Sequence, residues 1–270
     1  MTGLRDTIKQ SLPQPVVGLL RDSRDALQRF QQWPAATFDA RRRDSIARLS
    51  VLKDSHKGER CFIIGNGPSL KQTDLSRLKG EYTIGMNRFY LMFPELGFKT
   101  TYFVSINDLV VEQCSADLQA LGIPTFISWR GRQWVQPRKD LYYLFTTYTG
   151  PKFAKDIRGR LWEGATVTYA SMQIAYFLGF QQVILIGVDH SFATKGKPNT
   201  TVVSDGDDPN HFAGNYFGKG FRWQLPDLDT SELGYIRARE AYRESGREII
   251  DATVGGKLTV YPKVTYESLF

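Results

Sequence analysis

The chain is poor in the residues that mark several common protein classes. Its 270 residues include two cysteines and three histidines. Two cysteines cannot supply the framework of a disulfide-stapled secreted domain, and Cys61 and Cys114 lack the spacing of a metal site. We therefore expect both to be buried free thiols in a reducing compartment.

Long hydrophobic runs are also missing. The longest one, Val183–Val188, has the length of a strand, whereas a membrane span needs about 20 apolar residues. The segment Met1–Gln10 is polar and charged, unlike a secretory signal. These absences predict a cytoplasmic protein, and a location at the inner face of the membrane stays open.

Positive charge is unevenly distributed along the chain. Residues 1–57 hold eleven Lys and Arg against six Asp and Glu, a net +5, whereas the whole chain has a net +7. A nucleic-acid binder with a basic surface would spread this charge more widely, and no motif for DNA or RNA appears. We expect no nucleic-acid partner and interpret residues 1–57 as a basic helical extension.

The extension is predicted to contain two main helices, after a short piece that Pro13 and Pro15 interrupt. The first ends at Trp33-Pro34, and the second runs from about Thr37 to Lys53. Apolar residues recur at helical spacing in the first helix: Val16, Leu19, Leu20, Leu27 and Phe30. Packing on the main domain, a homo-oligomer contact and binding to an anionic membrane remain open.

Residues 58–270 show short apolar runs that alternate with helical stretches. The runs are Cys61–Ile64, Tyr82–Met86, Thr101–Ile106, Pro124–Ser128, Leu141–Phe145, Gln182–Val188 and Glu248–Asp251; the helical stretches are Leu109–Leu121, Thr166–Leu178 and Glu232–Ser245. This alternation predicts an α/β fold with a doubly wound, mostly parallel Rossmann-like sheet. The long polar segment at about 195–223 contains five aromatic residues, which predicts an ordered lid.

The first candidate binding loop, Gly65-Asn66-Gly67-Pro68-Ser69, follows the first strand. Its two glycines would let the backbone approach a ligand, and N–H groups at the next helix start would attract phosphate. The loop lacks the Gly-Lys-Ser/Thr ending of a P-loop, and Leu70 stands where the dinucleotide fingerprint has its third glycine. A tight turn without a ligand is the structural alternative.

Further candidates follow later strands, at the edge where open α/β sheets bind ligands. These candidates are Asn87, Asn107, Thr166, Val167, Thr168, Asp189, His190 and Ser191. Each has a structural alternative, such as turn formation or helix capping, and we expect Asp108 to cap the helix after Asn107.

Two of the three histidines are candidates for a general base. His56 lies in a polar helix end and is expected to be solvated, whereas His190 and His211 lie near a strand end and in the lid. An imidazole suits the removal of a proton from a sugar hydroxyl. The lid carboxylates Asp205, Asp207 and Asp208 leave open either a divalent metal site or simple solvation, and no metal ligand is assigned.

The order of these motifs resembles the small bacterial sialyltransferases that use CMP-sialic acid. The matching parts are Phe62–Leu70, Asp74–Leu78 and Asn87–Tyr90, followed by Thr166–Phe180 and Val183–Asp189. The same outline belongs to the superfamily of 6-hydroxymethylpterin diphosphokinase-like proteins, to which Gly246–Pro262 is more similar. The resemblance covers residues 60–262 and does not explain residues 1–57.

The resemblance implies roles for individual residues. Asn66 and Ser69 would lie by the nucleotide phosphate and ribose, and Asn87 would hold the donor from the second strand. Cytidine and phosphate would contact Thr166, Val167 and Thr168, and Asp189 would close the equivalent strand and orient the site. The amides of residues 65–69 would stabilise the leaving phosphate.

Two positions depart from the sialyltransferase pattern. Ser191 stands where those enzymes have a tyrosine, and Asn215 follows Gly214 where they have their catalytic histidine. His211, four residues before Asn215, is the substitute that we predict as the base, with His190 as the second choice.

The resulting expectation is a transferase that moves a sialic-acid-like, nonulosonic or related acidic sugar from a CMP donor to a hydroxyl of a glycan, lipid-linked or protein acceptor. Such an enzyme requires no cofactor. The alternatives are ATP-dependent diphosphorylation of a pterin alcohol, which requires Mg²⁺, and nucleotide binding without turnover.

Overall fold

The computed structural model describes residues 14–148, 150, 152–194 and 196–270. The helical prediction for residues 4–13, with its break at Pro13, lies outside these residues, as do the side chains of Val16, Leu19 and Leu20 and the lid residue Lys195. Among the residues that the structure describes, no helix combines the length and hydrophobicity that crossing a bilayer requires.

Seven strands in the described part of the chain form one parallel sheet. They are β1 (Arg60–Ile64), β2 (Tyr82–Met86), β3 (Tyr102–Ser105), β4 (Thr125–Ser128), β5 (Leu141–Leu144), β8 (Gln182–Ile186) and β11 (Glu248–Asp251). Their order across the sheet is β11-β8-β1-β2-β3-β4-β5. The chain thus builds outward from β1 to β5 and then returns to the other side of β1, as expected for a doubly wound Rossmann-like fold.

The remaining strands form two small pairs. β6 (Thr146–Thr147) pairs in parallel with β7 (Leu161–Trp162), and β9 (Thr201–Val203) pairs antiparallel with β10 (Arg222–Gln224). The second pair forms the base of the predicted lid, between whose strands residues 204–221 are inserted. The helices are α1 (Gln14–Phe38), α2 (Ala40–Leu52), α3 (Phe93–Leu96), α4 (Asp108–Gln113), α5 (Ser115–Ala120), α6 (Val167–Leu178) and α7 (Leu228–Glu244).

The strands are apolar throughout because both faces of the sheet are covered. In β1, Cys61 and Ile63 belong to a core shared with α6 and α7, whereas Phe62 and Ile64 belong to a core on the opposite face. All four side chains are fully buried. This two-sided burial explains why continuous apolar runs, rather than alternating ones, predicted the sheet.

The helix predictions are partly wrong at their ends. The first helix of the extension does not end at Trp33-Pro34 but continues through Pro34 to Phe38. It ends before Asp39, whose carboxylate accepts a hydrogen bond from the Arg41 amide and caps α2. The predicted helix over residues 109–121 is divided at Cys114 into α4 and α5, and α7 begins at Leu228, four residues earlier than predicted, because Asp227 caps it.

The second helix of the extension packs on the edge of the main sheet. The Ser45 hydroxyl accepts a hydrogen bond from the Tyr143 amide in β5, and the Arg48 guanidinium donates to the carbonyls of Lys139 and Leu141. These side chains satisfy backbone groups of an edge strand, which would otherwise offer a template for further pairing.

Candidate functional site

The ends of β1 and β8 meet at the point where the strand order reverses, which is where open α/β sheets bind ligands. The Asp189 carboxylate, just after β8, accepts hydrogen bonds from the Ser69 amide (3.1 Å) and the Ser69 hydroxyl (2.6 Å). The Gly67 amide donates to the Gly187 carbonyl (2.9 Å). Hydrogen bonds therefore join the loop after β1 to the loop after β8.

This contact explains both glycines of the first loop. A Cβ atom at Gly65 would collide with the Gly187 carbonyl, and one at Gly67 would collide with the Asp189 carboxylate. Both positions must be glycine so that two protein loops can approach each other. The sequence had predicted that the glycines allow a ligand to approach the backbone.

The amides of Gly65, Gly67 and Ser69 are not free to hold phosphate, contrary to the expectation for residues 65–69. The Gly65, Gly67 and Ser69 amides already donate to Ile186, Gly187 and Asp189, respectively. Residues Pro68–Gln72 form a short 3₁₀ helix rather than an α-helix. The Asp189 carboxylate thus occupies the position in which an anion was expected.

A cavity of about 760 Å³ opens beside these loops. Of the residues predicted from the sequence, it is lined by Gly65, Asn66, Gly67, Asn87, Asn107, Thr166, Val167, Thr168, Asp189, His190, Ser191 and His211. Ser69 is buried behind the wall, where it holds Asp189. The cavity lies within the size range of small-molecule sites.

The N-terminus of α6 faces this cavity. Thr166 is the N-cap, and its side chain accepts a hydrogen bond from the Thr168 amide (3.3 Å). Residues 168–178 are all buried, so that the start of the helix is fixed against the core. Amides at the first turn of such a helix favour negative charge, which makes this end the better candidate for a phosphate.

The backbone is strained at several places around the cavity. Asn87, Ala165, His190 and Asn199 line it and have φ angles of 52°, 58°, 53° and 63°. Side-chain-bearing residues rarely adopt this left-handed conformation, and such strain is concentrated at functional sites.

Two residues of the lid, His211 and Asp208, form a hydrogen-bonded dyad. His211 Nδ1 lies 2.9 and 2.8 Å from the two carboxylate oxygens of Asp208. An ionised carboxylate only accepts hydrogen bonds, so Nδ1 carries the proton and Nε2 stays available as an acceptor. The imidazole stacks on Tyr216 with ring centroids 4.0 Å apart and contacts the edge of Phe217. The lid therefore fixes the orientation of a histidine that lines the cavity.

The lid is attached to three neighbouring loops, which follow β1, β2 and β8. The Phe212 amide donates to the Asn66 carbonyl (2.9 Å), and the Asn210 side-chain oxygen accepts from the Ala193 amide (2.7 Å). The Tyr216 hydroxyl accepts from the Arg88 amide (3.2 Å). These contacts place His211 beside the end of β1, close to the predicted binding loop.

His190 has a different environment. Its Nε2 lies 3.6 Å from Glu232 Oε2, and its ring contacts Tyr235 edge-on. Glu232 is about half exposed, whereas Asp208 is almost fully buried. His190 lines the cavity but is held less firmly than His211.

The cap of α4 that was expected from Asp108 comes from Asn107 instead. Asn107 caps α4 by accepting from the Leu109 and Val110 amides, while its Nδ2 donates to Gln224 (3.2 Å). Asp108 instead pairs with Arg130. The expectation that Asp108 caps this helix is therefore wrong.

Arg130, which the sequence analysis missed, contacts two acids in the cavity wall. It lies 2.5 Å from Asp108 and 2.9 Å from Glu163, and these charges raise its pKa although burial opposes them. Arg29 of α1 was also missed, and its side chain is buried and lines the cavity. Neither residue stands in a motif, and only the tertiary fold brings them to the site.

His56 is not solvated as expected. It is buried, its Nε2 lies 2.7 Å from the Tyr102 hydroxyl and its Nδ1 lies 2.6 Å from Glu59. Its ring stacks on Phe180, and it is not among the residues that line the cavity.

A comparison with protein families matches residues 41–195 to the family described as 6-hydroxymethylpterin diphosphokinase MptE-like. The matched segment is more than half of the chain and contains the ends of both β1 and β8. The chain belongs to the MptE-like family. This membership confirms the superfamily resemblance seen in the sequence. No curated protein matches the chain.

Among solved structures, the chain is similar to the MAf glycosyltransferase from Magnetospirillum magneticum AMB-1. The TM-score is 0.52 at 16% identity, and the match covers 85% of this chain and 39% of the glycosyltransferase chain. At this identity the likeness shows a shared fold. The MptE-like chain thus spans well under half of the length of that protein.

Proposed function

We propose that this protein is a glycosyltransferase that moves a sialic-acid-like, nonulosonic or related acidic sugar from a CMP-sugar donor to a hydroxyl acceptor. The observation that carries the proposal is the His211–Asp208 dyad at a cavity beside the β1–β8 reversal point. A histidine oriented by a buried carboxylate is the arrangement that general base catalysis needs. The fold shared with a glycosyltransferase supports the same conclusion.

The donor's phosphate is assigned to the start of α6. The Val167 amide and the hydroxyls of Thr166 and Thr168 can donate to an anion there, whereas the Thr168 and Tyr169 amides already donate to Thr166. Asn87 lines the same cavity from the end of β2, and its amide group can contact the donor sugar or ribose. The nucleotide would then lie across the ends of β1, β2 and β8.

The acidic sugar is matched by charge at the cavity. Arg29 lines it from α1 and Arg130 lines it from the segment after β4, and the positive charge of these residues would attract the carboxylate of a nonulosonic sugar.

In the reaction, Nε2 of His211 accepts the proton of the acceptor hydroxyl. The acceptor oxygen forms a bond to the anomeric carbon, while the bond from that carbon to the phosphate oxygen breaks and its electron pair leaves with CMP. Asp208 stabilises the imidazolium that results. This chemistry balances without a cofactor, because the phosphate is already a leaving group.

The family description favours a second candidate, the transfer of a diphosphate from ATP to a pterin alcohol. That reaction uses Mg²⁺, which prefers carboxylate ligands. The described residues contain no group of three or more acidic, histidine or cysteine side chains that could hold a metal ion. Asp205 and Asp207 are exposed, and Asp208 is engaged with His211. The described residues therefore offer no Mg²⁺ site built from protein groups alone, and we derive no step through one.

Calorimetric titration with CMP, CTP, ATP and UDP, each with and without Mg²⁺, tests the proposal. We expect CMP and CTP to bind in EDTA, and Thr166→Ala to weaken both. Binding of ATP alone, and only with Mg²⁺, would favour the diphosphokinase. CMP binding without any sugar transfer would leave a nucleotide-binding protein without turnover.

A further inference from the structure

Between Leu27 and Phe38, the large apolar side chains of helix α1 are turned away from the protein. Leu27, Phe30, Trp33 and Phe38 have exposed fractions of 61%, 73%, 49% and 67%. We call these four residues the apolar face of α1. They are half of the eight large hydrophobic residues that are exposed in the described part of the chain.

Helical geometry places the four side chains on one side. At 3.6 residues per turn, Leu27 and Phe38 point within about 20° of each other, with Phe30 and Trp33 offset by about 60° and 120°. Arg29 and Ala36 point about 160° and 180° away from Leu27, next to the flanking Trp33, and both are buried against the domain. The exposed apolar residues are therefore not the side by which α1 packs on its own chain.

The apolar face also extends past the proline. Because α1 continues through Pro34, Phe38 reaches the same side as Leu27 and contacts Trp33 edge-on, with ring centroids 6.3 Å apart. Contiguous exposed apolar surface of this kind marks an interaction site.

We propose that the apolar face of α1 docks the protein on an anionic lipid bilayer. Leu, Phe and Trp on one side of a helix, with basic residues near them, are typical of helices that lie in the membrane interface. The segment 1–57, which contains this helix, has a net +5 of the chain's +7. The exposed Arg43 lies five residues beyond Phe38, in the first turn of α2.

The charge selects the membrane over a second copy of the chain. Even without the buried Arg29 and Arg42, the segment 1–57 keeps a net positive charge, so a symmetric dimer through this face would bring like charges together. An anionic surface attracts the same charges.

Docking would place the cavity close to the bilayer. Arg29, which belongs to the same helix as the apolar face, lines the cavity, and a helix with its side chains is about 10–12 Å across. An acceptor with a lipid tail could then present its hydroxyl group to the site without leaving the membrane.

Vesicle flotation of the full chain tests this proposal. The vesicles contain phosphatidylcholine with or without phosphatidylglycerol. We expect flotation with the anionic vesicles at low salt, less at high salt, and little with neutral vesicles. The variant L27Q/F30Q/W33Q/F38Q should lower the partition coefficient by roughly tenfold or more, because its outward side chains are no longer apolar.

The matched control replaces exposed apolar residues elsewhere, as in V203Q/L233Q, whose exposed fractions are 66% and 56%. It should float like the unmodified chain. Failure of the unmodified chain to float on anionic vesicles, or equal flotation of the four-residue variant, would overturn the proposal. Light scattering that finds a dimer abolished by that variant, without flotation, would identify a second copy as the occupant instead.

Discussion

The carboxylate of Asp208 accepts a hydrogen bond from His211 Nδ1 through oxygens that lie 2.9 and 2.8 Å away. Asp208 is itself held in place, because it also accepts from the amides of Asn210 and Phe217. The backbone of the lid therefore fixes the acid, and the acid fixes the imidazole. Asp208 is a positioning residue in the proposed reaction, whereas His211 is the catalytic base.

The first prediction concerns this dyad. Replacing a general base costs about 10²–10⁴-fold in rate, so we expect His211→Ala to lower turnover at least tenfold, roughly within that range, and to keep CMP affinity within about threefold. Added imidazole should restore part of the lost turnover, which a purely structural histidine would not allow. His190→Ala should lower turnover less, because its only acidic contact among the described residues is the half-exposed Glu232.

Asp208→Asn should also lower kcat, with CMP affinity nearly unchanged, since the amide no longer selects the tautomer with a free Nε2. Asp207→Asn is the matched control, because that side chain is an exposed neighbour of the dyad. If His190→Ala abolishes turnover and His211→Ala does not, the assignment of the base is wrong.

The second prediction concerns the fastening of β1 to β8. Gly67→Ala places a Cβ atom against the Asp189 carboxylate and should displace the hydrogen bonds to Ser69. Overpacking of this kind costs about 1–3 kcal/mol of the free energy of unfolding. Thermal denaturation should show a melting temperature lower by several degrees.

Gly159→Ala is the control for this change, since its added Cβ atom would meet no atom within 4 Å. Equal melting temperatures for the two variants would show that the contact between Gly67 and Asp189 does not constrain the loops.

The third prediction concerns the start of α6. Thr166→Ala removes the N-cap and should lower the free energy of unfolding by about 1 kcal/mol. It should also weaken CMP binding, whereas Thr166→Ser keeps the cap and should bind CMP normally. Denaturant titration and calorimetry measure the two effects, and unchanged CMP affinity in Thr166→Ala would remove this helix end from the phosphate site.

The fourth prediction uses a buried hydroxyl. Tyr169 is fully buried, and its hydroxyl has no hydrogen-bond partner within the described residues. Burial raises the pKa of this phenol, because the anion would be desolvated. Removing an unsatisfied buried group relieves about 1–3 kcal/mol of desolvation cost, so Tyr169→Phe should raise the free energy of unfolding. A lower value in denaturant titration would show that the hydroxyl has a partner.

The sequence predicts the sheet well because its strands are buried on both faces. Runs such as Val183–Ile186 are typical of central strands that are buried on both faces. The carboxyl ends of such parallel strands lie at one edge of the sheet. That reasoning brings Asn66, Asn87 and Asp189 to one cavity, as the structure shows.

The partner that each polar group binds is not predictable in the same way. The Asn107 side chain rather than Asp108 caps α4, since Asp108 finds Arg130 from a distant segment. The Ser69 amide binds Asp189, 120 residues away, rather than an external anion. Each outcome depends on a tertiary partner that local patterns do not contain.

The continuation of α1 past Pro34 has a similar cause. Proline removes one hydrogen bond and disfavours a helix interior, so the sequence predicts an end there. The helix persists to Phe38 while Ala36 is buried in the core. The packing of Ala36 thus outweighs the preference of Pro34 for ending a helix.

Release of CMP from a CMP-nonulosonate donor, measured with a hydroxyl acceptor in EDTA, tests the proposed transfer reaction. We expect the unmodified chain to release CMP together with the glycosylated product, and His211→Ala to release at least about tenfold less. Absence of CMP release, together with Mg²⁺-dependent transfer of a diphosphate from ATP to a pterin alcohol, would contradict it.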